Sequence, residues 1–234
     1  MATNVLTLAW SILGLAALSS VAILAQMGPE PYPSMAPVSQ YVMPTDAEVA
    51  LARSAAPNSI SSKADVMVLG PHGYTTAEKG TNGFVCLVER SWGAATDDRE
   101  FWNPKMRAPI CFNPAAARTF APIYLMKTRL VLEGKPKADI AQAIASTFAE
   151  KELPALEPNA MCYMMSKRQY LNDRGKSWHP HLMFFAPISA AKTWGADLPG
   201  SPVMAANDPE EHATIFMVWV ANWSDGTPAS AASH

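Results

Sequence analysis

The sequence predicts an α+β domain in which an antiparallel sheet of about five to six strands packs against helices on one side. Three observations lead to this prediction. Strand-like segments, apolar and rich in β-branched or aromatic residues, lie towards both ends of the chain that follows an apolar leader. Helix-like segments with apolar residues at four-residue spacing occupy its middle. Because strands and helices are segregated along the chain, a sheet of antiparallel strands is expected.

The first part of the domain supplies one predicted helix and three predicted strands. The helix should begin at Thr45, whose hydroxyl can cap it while Glu48 reaches back to the cap amide. Strands are expected at 66–69, 74–79 and 84–90. The turn Gly80-Thr81-Asn82-Gly83 favours a hairpin between the last two strands, because an Asn-Gly pair tolerates positive φ.

Helices dominate the middle of the chain. Asn113 and the proline after it form a strong helix start, and this helix should be interrupted at Pro122 before it resumes. A further helix over 137–151 places Ile140, Ile144 and Phe148 on one apolar face. Three more strands are expected at 161–165, 181–186 and 214–222.

The first 25 residues are predicted to be a secretory signal peptide. No charged side chain occurs from Val5 to Ala25, and the run is rich in Leu, Ala, Val and Ile. Cleavage is feasible after Ala22 or after Ala25, and the second position is favoured. No Lys or Arg precedes the apolar run, so an uncleaved anchor formed by residues 5–25 is the alternative, since about 20 apolar residues can span a bilayer.

The rest of the chain is predicted to have three parts, and the first of them is distinguished by its proline content. Prolines are concentrated in residues 26–44, which are predicted to form an extended arm. One globular domain is expected over 45–226, followed by a flexible tail over 227–234. The expected location is therefore outside the cytoplasm, in the periplasm or secreted, or at the inner membrane if the leader is retained.

The amino-acid composition limits the kinds of molecule that the chain is expected to bind. Hydrophobic residues make up 49% of the chain and charged residues 16%, against about 25% charged in typical soluble domains. The net charge is −2 and no run of Lys or Arg occurs, which argues against nucleic acid as a partner. The expected partner is a small molecule or a protein, with membrane contact only through an uncleaved leader.

His179 and His181 are the candidate metal ligands. In a strand that starts at His179, both side chains leave the same face about 7 Å apart, close enough to share one divalent ion. A third ligand would have to come from a neighbouring strand, and Glu89 or Cys162 could supply it. The other interpretation is that the two histidines fill the end of a strand beside Trp178, with no cofactor bound.

Glu89 and Cys86 are the candidate catalytic side chains. Glu89 and Arg90 end an apolar strand and point to opposite faces, so one of them is directed towards the core or a cleft, where a carboxylate could act as a general base. The alternative is an ordinary ion pair at the strand end. Cys86 with a histidine base would be a nucleophile, but its apolar strand raises the thiol pKa and opposes this role.

The three cysteines, Cys86, Cys111 and Cys162, all lie in apolar surroundings. In an oxidising compartment they could form one disulfide and leave one free thiol. The sequence does not choose among the three pairings.

Two segments carry a resemblance. Gly80-Thr81-Asn82-Gly83-Phe84-Val85-Cys86-Leu87-Val88-Glu89-Arg90-Ser91-Trp92 and Trp178-His179-Pro180-His181-Leu182-Met183-Phe184-Phe185 resemble uncharacterised exported bacterial proteins, a family with no assigned function. The resemblance implies export and implies no chemistry.

The sequence therefore favours an exported binding or interaction module. No phosphate loop, nucleophile elbow or Cys-x-x-Cys motif occurs. The alternative is a metal-dependent hydrolase built on His179 and His181.

Overall fold

The computed structural model describes residues 30–188 and 190–229. Within them the chain forms five α-helices and eight strands, in an α+β fold. The helices are α1 (Thr45–Arg53), α2 (Asn58–Ser61), α3 (Pro114–Thr119), α4 (Ala121–Leu132) and α5 (Lys137–Ala149). The strands are β1 (Asp65–Gly70), β2 (Gly73–Glu78), β3 (Val85–Glu89), β4 (Ala108–Phe112), β5 (Met161–Met164), β6 (His181–Pro187), β7 (Val203–Asp208) and β8 (Ala213–Trp219).

All eight strands form one mixed sheet, in the order β2-β1-β3-β4-β5-β6-β8-β7. The α+β class is confirmed, but the sheet is larger than the predicted five to six strands and is not wholly antiparallel. Strands β1 and β3 run parallel, with Asp65 opposite Val85 and Val66 opposite Cys86. Strands β4 and β7 were not predicted, because Pro109 lies within β4 and β7 is rich in alanine.

The predicted hairpin across Gly80–Gly83 is wrong. Strand β2 pairs with β1 instead, through a tight turn between Gly70 and Gly73. The segment after β2 crosses over and lies against residues 63–65, with the amide of Thr81 bonding to the carbonyl of Lys63 at 2.8 Å. A Cβ at Gly80 would lie 2.2 Å from that carbonyl, so glycine is needed there for close backbone approach.

Helices cover both faces of the sheet, which corrects the prediction of helices on one side only. Leu87 of β3 packs in the main core with side chains of α3, α4 and α5. Its neighbours Cys86 and Val88 pack in a second core with Leu51 of α1. Because successive strand residues point to opposite faces, the two cores lie on opposite sides of the sheet.

The start of α1 also differs from the prediction. Pro44 occupies the cap position, no side chain caps the helix, and Thr45 is its first residue. Glu48 is fully buried and its carboxylate bonds to Arg90, so it does not close a capping box. The helices at 114–132 and 137–149 follow the predicted pattern, and Asn113 does accept a hydrogen bond from the amide of Ala116 at 2.9 Å.

The proline-rich segment from Tyr32 onward belongs to the same compact unit as the rest of the described chain. Tyr41 is fully buried in the main core, and its hydroxyl donates to the carbonyl of Trp102 at 2.8 Å. At the other end, the amide of Ala229 bonds to the carbonyl of Ala221 at 2.8 Å.

Within residues 30–188 and 190–229, no helix is long and apolar enough to cross a membrane. The predicted leader over 1–25 lies outside these residues.

Candidate functional site

The structure places His179 and His181 at one end of the sheet, among aromatic rings. His181 is buried, and its Nδ1 lies 2.7 Å from the carbonyl oxygen of His179. The ring of His179 stacks on Trp219 with centroids 4.5 Å apart, while His181 meets Trp178 edge to face at 5.1 Å. Burial lowers the pKa of His181, because the imidazolium form loses its hydration.

A third metal ligand does not join this pair in the described residues. No group of three or more His, Cys, Asp or Glu side chains is arranged there to hold an ion. Glu89 ends β3 and Cys162 lies in β5 within the main core. The observed contacts are those of histidines packed beside Trp178.

Cys86 is bonded to Cys111, which lies directly opposite it on β4. The pairing that the sequence left open is thus Cys86–Cys111, with Cys162 free and buried. A cysteine held in a disulfide has no thiol, so the structure removes Cys86 as a nucleophile. Burial also raises the pKa of Cys162 well above its ordinary value.

Glu89 and Arg90 point to opposite faces, as predicted, and do not pair with each other. Arg90 enters the interior on the α1 side and bonds to Glu48 at 2.8 Å. Glu89 lies on the α4 side, next to Gly93, where an added Cβ would be 3.1 Å from its Oε2. The strand-end ion pair between these two residues is therefore absent, and Glu89 is the carboxylate directed towards the helix layer.

Lys127 is the charged side chain that α4 presents to this region. It lies one turn after Ile123 and Tyr124, on the buried face of α4, and only 1% of its side chain is exposed. Its ammonium donates to the carbonyl of Ala94 at 2.8 Å and lies 5.7 Å from the centre of the Phe101 ring. A buried ammonium needs such partners, because desolvation of an unpaired charge is costly.

The turn between β7 and β8 brings the carboxylate of Glu210 to Lys127, and the positive charge of Lys127 also acts to lower the pKa of Glu211 in the same turn, against the larger effect of burial. Glu210 lies 3.2 Å from the ammonium and also accepts a hydrogen bond from the amide of Thr96 at 2.9 Å. Glu211 is only 8% exposed. The turn is held in place by the stacking of His212 on Phe148 of α5, with centroids 4.1 Å apart. We call Glu89, Lys127, Glu210 and Glu211 together the Lys127 site.

One carboxylate oxygen of the Lys127 site is buried without a hydrogen-bond partner among the described residues. It is Oε1 of Glu210, which lies 3.2 Å from the Lys127 ammonium. Part of the Glu89 residue is open to solvent, but protein surrounds its carboxyl group. Burial of that group raises the pKa of Glu89 to about 8, although the positive charge of Lys127 acts to lower it. Burial raises the pKa of Glu211 to about 8 as well, assisted by the charge of Asp208.

These raised pKa values predict that stability falls as the pH rises from about 4.5 to about 8. The unfolded chain loses the Glu89 and Glu211 protons near pH 4.5, whereas the folded chain keeps them until about pH 8. Folding is therefore favoured by bound protons at low pH, and that contribution is lost as the pH passes through the folded-state pKa values. Glu211→Gln should be more stable than the wild type at pH 9 by on the order of 2 kcal/mol.

Urea unfolding at pH 5, 7 and 9 measures this difference, with Glu133→Gln at the exposed end of α4 as the control. The gap between Glu211→Gln and the wild type should widen with pH, while the control follows the wild type. A gap that is constant or narrows with pH would contradict the raised pKa of Glu211.

Sequence reasoning found Glu89 but missed the other three members of the Lys127 site. One signal was present for Lys127, since it is a charged residue on the apolar stripe that includes Ile123, Tyr124 and Val131. Glu210 and Glu211 lie in a polar turn of ordinary composition, which gives no indication that Glu211 is buried.

A separate apolar patch lies on the segment after β6. Ile188, Trp194 and Leu198 are 46%, 44% and 61% exposed. Trp194 stacks on Phe216 with centroids 4.2 Å apart, so one side of its ring is anchored to the sheet. Exposed apolar patches of this kind are typical of interaction surfaces.

Comparison with known proteins identifies no similar protein. No family model, curated protein or solved structure matches the chain.

Proposed function

We propose that this chain is an exported module that binds a small molecule at the Lys127 site. The observation that carries the proposal is the buried ammonium of Lys127 beside Oε1 of Glu210, a buried carboxylate oxygen that has no hydrogen-bond partner in the described residues. The two groups come from α4 and the β7–β8 turn, which are far apart in the sequence. Buried polar groups are normally hydrogen-bonded, so a ligand that supplies the missing donors would be stabilised there.

Export is supported by two features. The apolar leader has the composition of a signal peptide. The Cys86–Cys111 disulfide is of a kind that persists in oxidising compartments such as the periplasm. Release of a mature chain that begins near Gln26 would leave the whole domain from Tyr32 onward intact.

One experiment tests both the export of the protein and its binding of a small molecule. The full chain is expressed in a bacterial host, the periplasmic fraction is purified, and its N-terminus is sequenced. That protein is then screened by ligand-detected NMR against small amines, carboxylic acids, phosphates and neutral amides. We expect a chain that begins near Gln26 and binds one class of compound, and we expect Glu210→Gln to abolish the signal.

The matched control is Glu157→Gln, which changes an exposed glutamate paired with Arg118 on the surface. It should bind like the wild type. Full-length protein in the cytosol would overturn export. A screen in which no class binds, or in which Glu210→Gln binds as well as the control, would overturn the binding function.

A further inference from the structure

Three methionines form a row across the last strands of the sheet, at directly paired positions. Met183 of β6 is opposite Met217 of β8, and Met217 is opposite Met204 of β7. Paired residues on neighbouring strands point to the same face of a sheet, with Cβ atoms about 4.5–5.5 Å apart. The three thioethers therefore leave one face side by side. We call Met183, Met204 and Met217 the methionine row.

The methionine row lies at the margin of the main core. Phe185 and Ile215 occupy the next row on the same face, and Phe185 stacks on Phe120, between α3 and α4, with centroids 3.7 Å apart. Helix α3 packs on β4 and β5, and α4 packs on β2. All three methionines of the row are half-buried, so each keeps part of its surface open to solvent.

The donor atoms that the methionine row offers are soft. Thioether sulfur is a ligand that selects Cu(I), whereas hard ions such as Mg²⁺ and Ca²⁺ require oxygen ligands. None of the residues in the two adjacent rows on this face carries a carboxylate; they are Phe185, Ile215, His181 and Trp219. The imidazole among them is itself a copper ligand. The chemistry of the row therefore favours a soft monovalent ion over a hard divalent one.

The thiols of the described chain are less suited to bind such an ion. Cys86 and Cys111 are closed in the disulfide. Cys162 lies opposite Met183 and continues the row into the core, but it is fully buried, and burial raises the pKa of its thiol well above the ordinary value. Thioethers need no deprotonation before they bind a metal, so methionine supplies the available sulfur.

One ion above the central strand can contact all three sulfur atoms. Neighbouring strands lie about 4.8 Å apart, so Met183 and Met204 flank Met217 at that spacing. A methionine side chain has three rotatable bonds, which allow its sulfur to turn towards a neighbour. We infer that the methionine row binds one Cu(I) ion through the sulfur atoms of Met183, Met204 and Met217. This site shares no residue with the Lys127 site, so it goes beyond the proposed function and is tested separately.

The test is NMR of the purified protein labelled at its methionine methyl groups, titrated with silver nitrate in chloride-free buffer. Ag(I) is a redox-stable analogue of Cu(I), and Cu(I) itself is then added under nitrogen as its acetonitrile complex. Single Met→Leu variants assign the signals. One equivalent of either ion should shift the methyl signals of Met183, Met204 and Met217 and leave that of Met67 unchanged. Zn²⁺ and Mg²⁺ should shift none of the three.

Leucine variants test whether the sulfur atoms hold the ion, because leucine conserves the volume of methionine. Met217→Leu should lower the affinity for Ag(I) by roughly tenfold or more, since loss even of an outer partner of a metal ligand has an effect of this size. Replacement of all three methionines of the row by leucine should abolish binding. The matched control is Met67→Leu/Met106→Leu/Met126→Leu, which changes three half-buried methionines elsewhere and should bind like the wild type. Cys162→Ala should also bind like the wild type.

Four results would each overturn the inference. The first is that the three methyl signals do not move with one equivalent of Ag(I) or Cu(I), and the second is that Zn²⁺ moves them as strongly. The third is that Met217→Leu binds like the wild type. The fourth is that Cys162→Ala or the control variant loses the ion, because a thiol or methionines elsewhere would then hold it. The methyl shifts of the wild type decide the question even if the row variant with three leucines does not fold.

Discussion

Replacement of Arg90 by leucine should lower the free energy of unfolding by about 3–5 kcal/mol. The Arg90 guanidinium and the Glu48 carboxylate are fully buried and 2.8 Å apart. Arg90 also donates to the carbonyl of Tyr41 at 2.8 Å and to that of Val88. Removal of the guanidinium leaves the Glu48 charge uncompensated in the core between α1 and the sheet, and this desolvated charge is what destabilises the variant.

Urea unfolding monitored by tryptophan fluorescence measures the loss, provided that the slope of the transition is unchanged. The matched control is Arg118→Leu, which breaks the exposed pair with Glu157 and should leave the midpoint nearly unchanged. The double variant Glu48→Leu/Arg90→Leu should recover much of the stability, because an apolar pair needs no compensation. An Arg90→Leu midpoint as close to the wild type as that of the control would show that the buried pair is not maintained in solution.

Reduction of the Cys86–Cys111 disulfide should lower the free energy of unfolding by about 3 kcal/mol. The two cysteines are separated by 25 positions, so the crosslink restricts a sizeable loop of the unfolded chain. It joins neighbouring strands β3 and β4 at directly opposed residues, next to the face that α1 covers. Loss of the bond therefore acts mainly by increasing the freedom of the unfolded state.

The comparison that measures this effect is urea unfolding with and without reductant, on wild type and on the variant Cys86→Ala/Cys111→Ala. Reductant should shift the wild type and leave the variant unchanged, since the variant retains only Cys162. Thiol counting gives the second readout: one reactive thiol in denaturant alone and three after reduction. Three thiols in denaturant without reductant would contradict the pairing.

Four of the five described helices could be predicted because their signals are local in the sequence, whereas the short α2 (Asn58–Ser61) was not predicted. Asn113 caps its helix, Pro122 opens the following helix in its first turn, and Ile140 and Ile144 both lie in the core. Each of these features depends on residues within a few positions of one another, and helix hydrogen bonds span only four residues. The segments 66–69, 161–165 and 181–186 were recognised as strands for a related reason, since short apolar runs favour the pleated surface.

Strand pairing could not be predicted in the same way. The Gly80–Gly83 turn has the composition of a hairpin, but β1 lies between the two strands it would join. The choice depends on long-range contacts, including the amide of Gly80 bonding to the Asp65 carboxylate at 2.6 Å. Strand β4 was not predicted because it contains Pro109, and a proline lacks an amide donor for strand pairing. The proline is tolerated at this position because β5 pairs only with Cys111 and Phe112 of β4.

The sequence by itself determined the α+β class, the positions of four of the five described helices, the apolar character of residues 5–25 and the opposite directions of Glu89 and Arg90. These follow from composition and from the periodicity of side chains along single elements. The tertiary structure alone decided that Cys86 pairs with Cys111, that Arg90 meets Glu48, and that Glu210 lies beside Lys127. Each of these contacts joins residues from different elements, and their meeting is fixed by the order of strands in the sheet and by the packing of helices on its two faces.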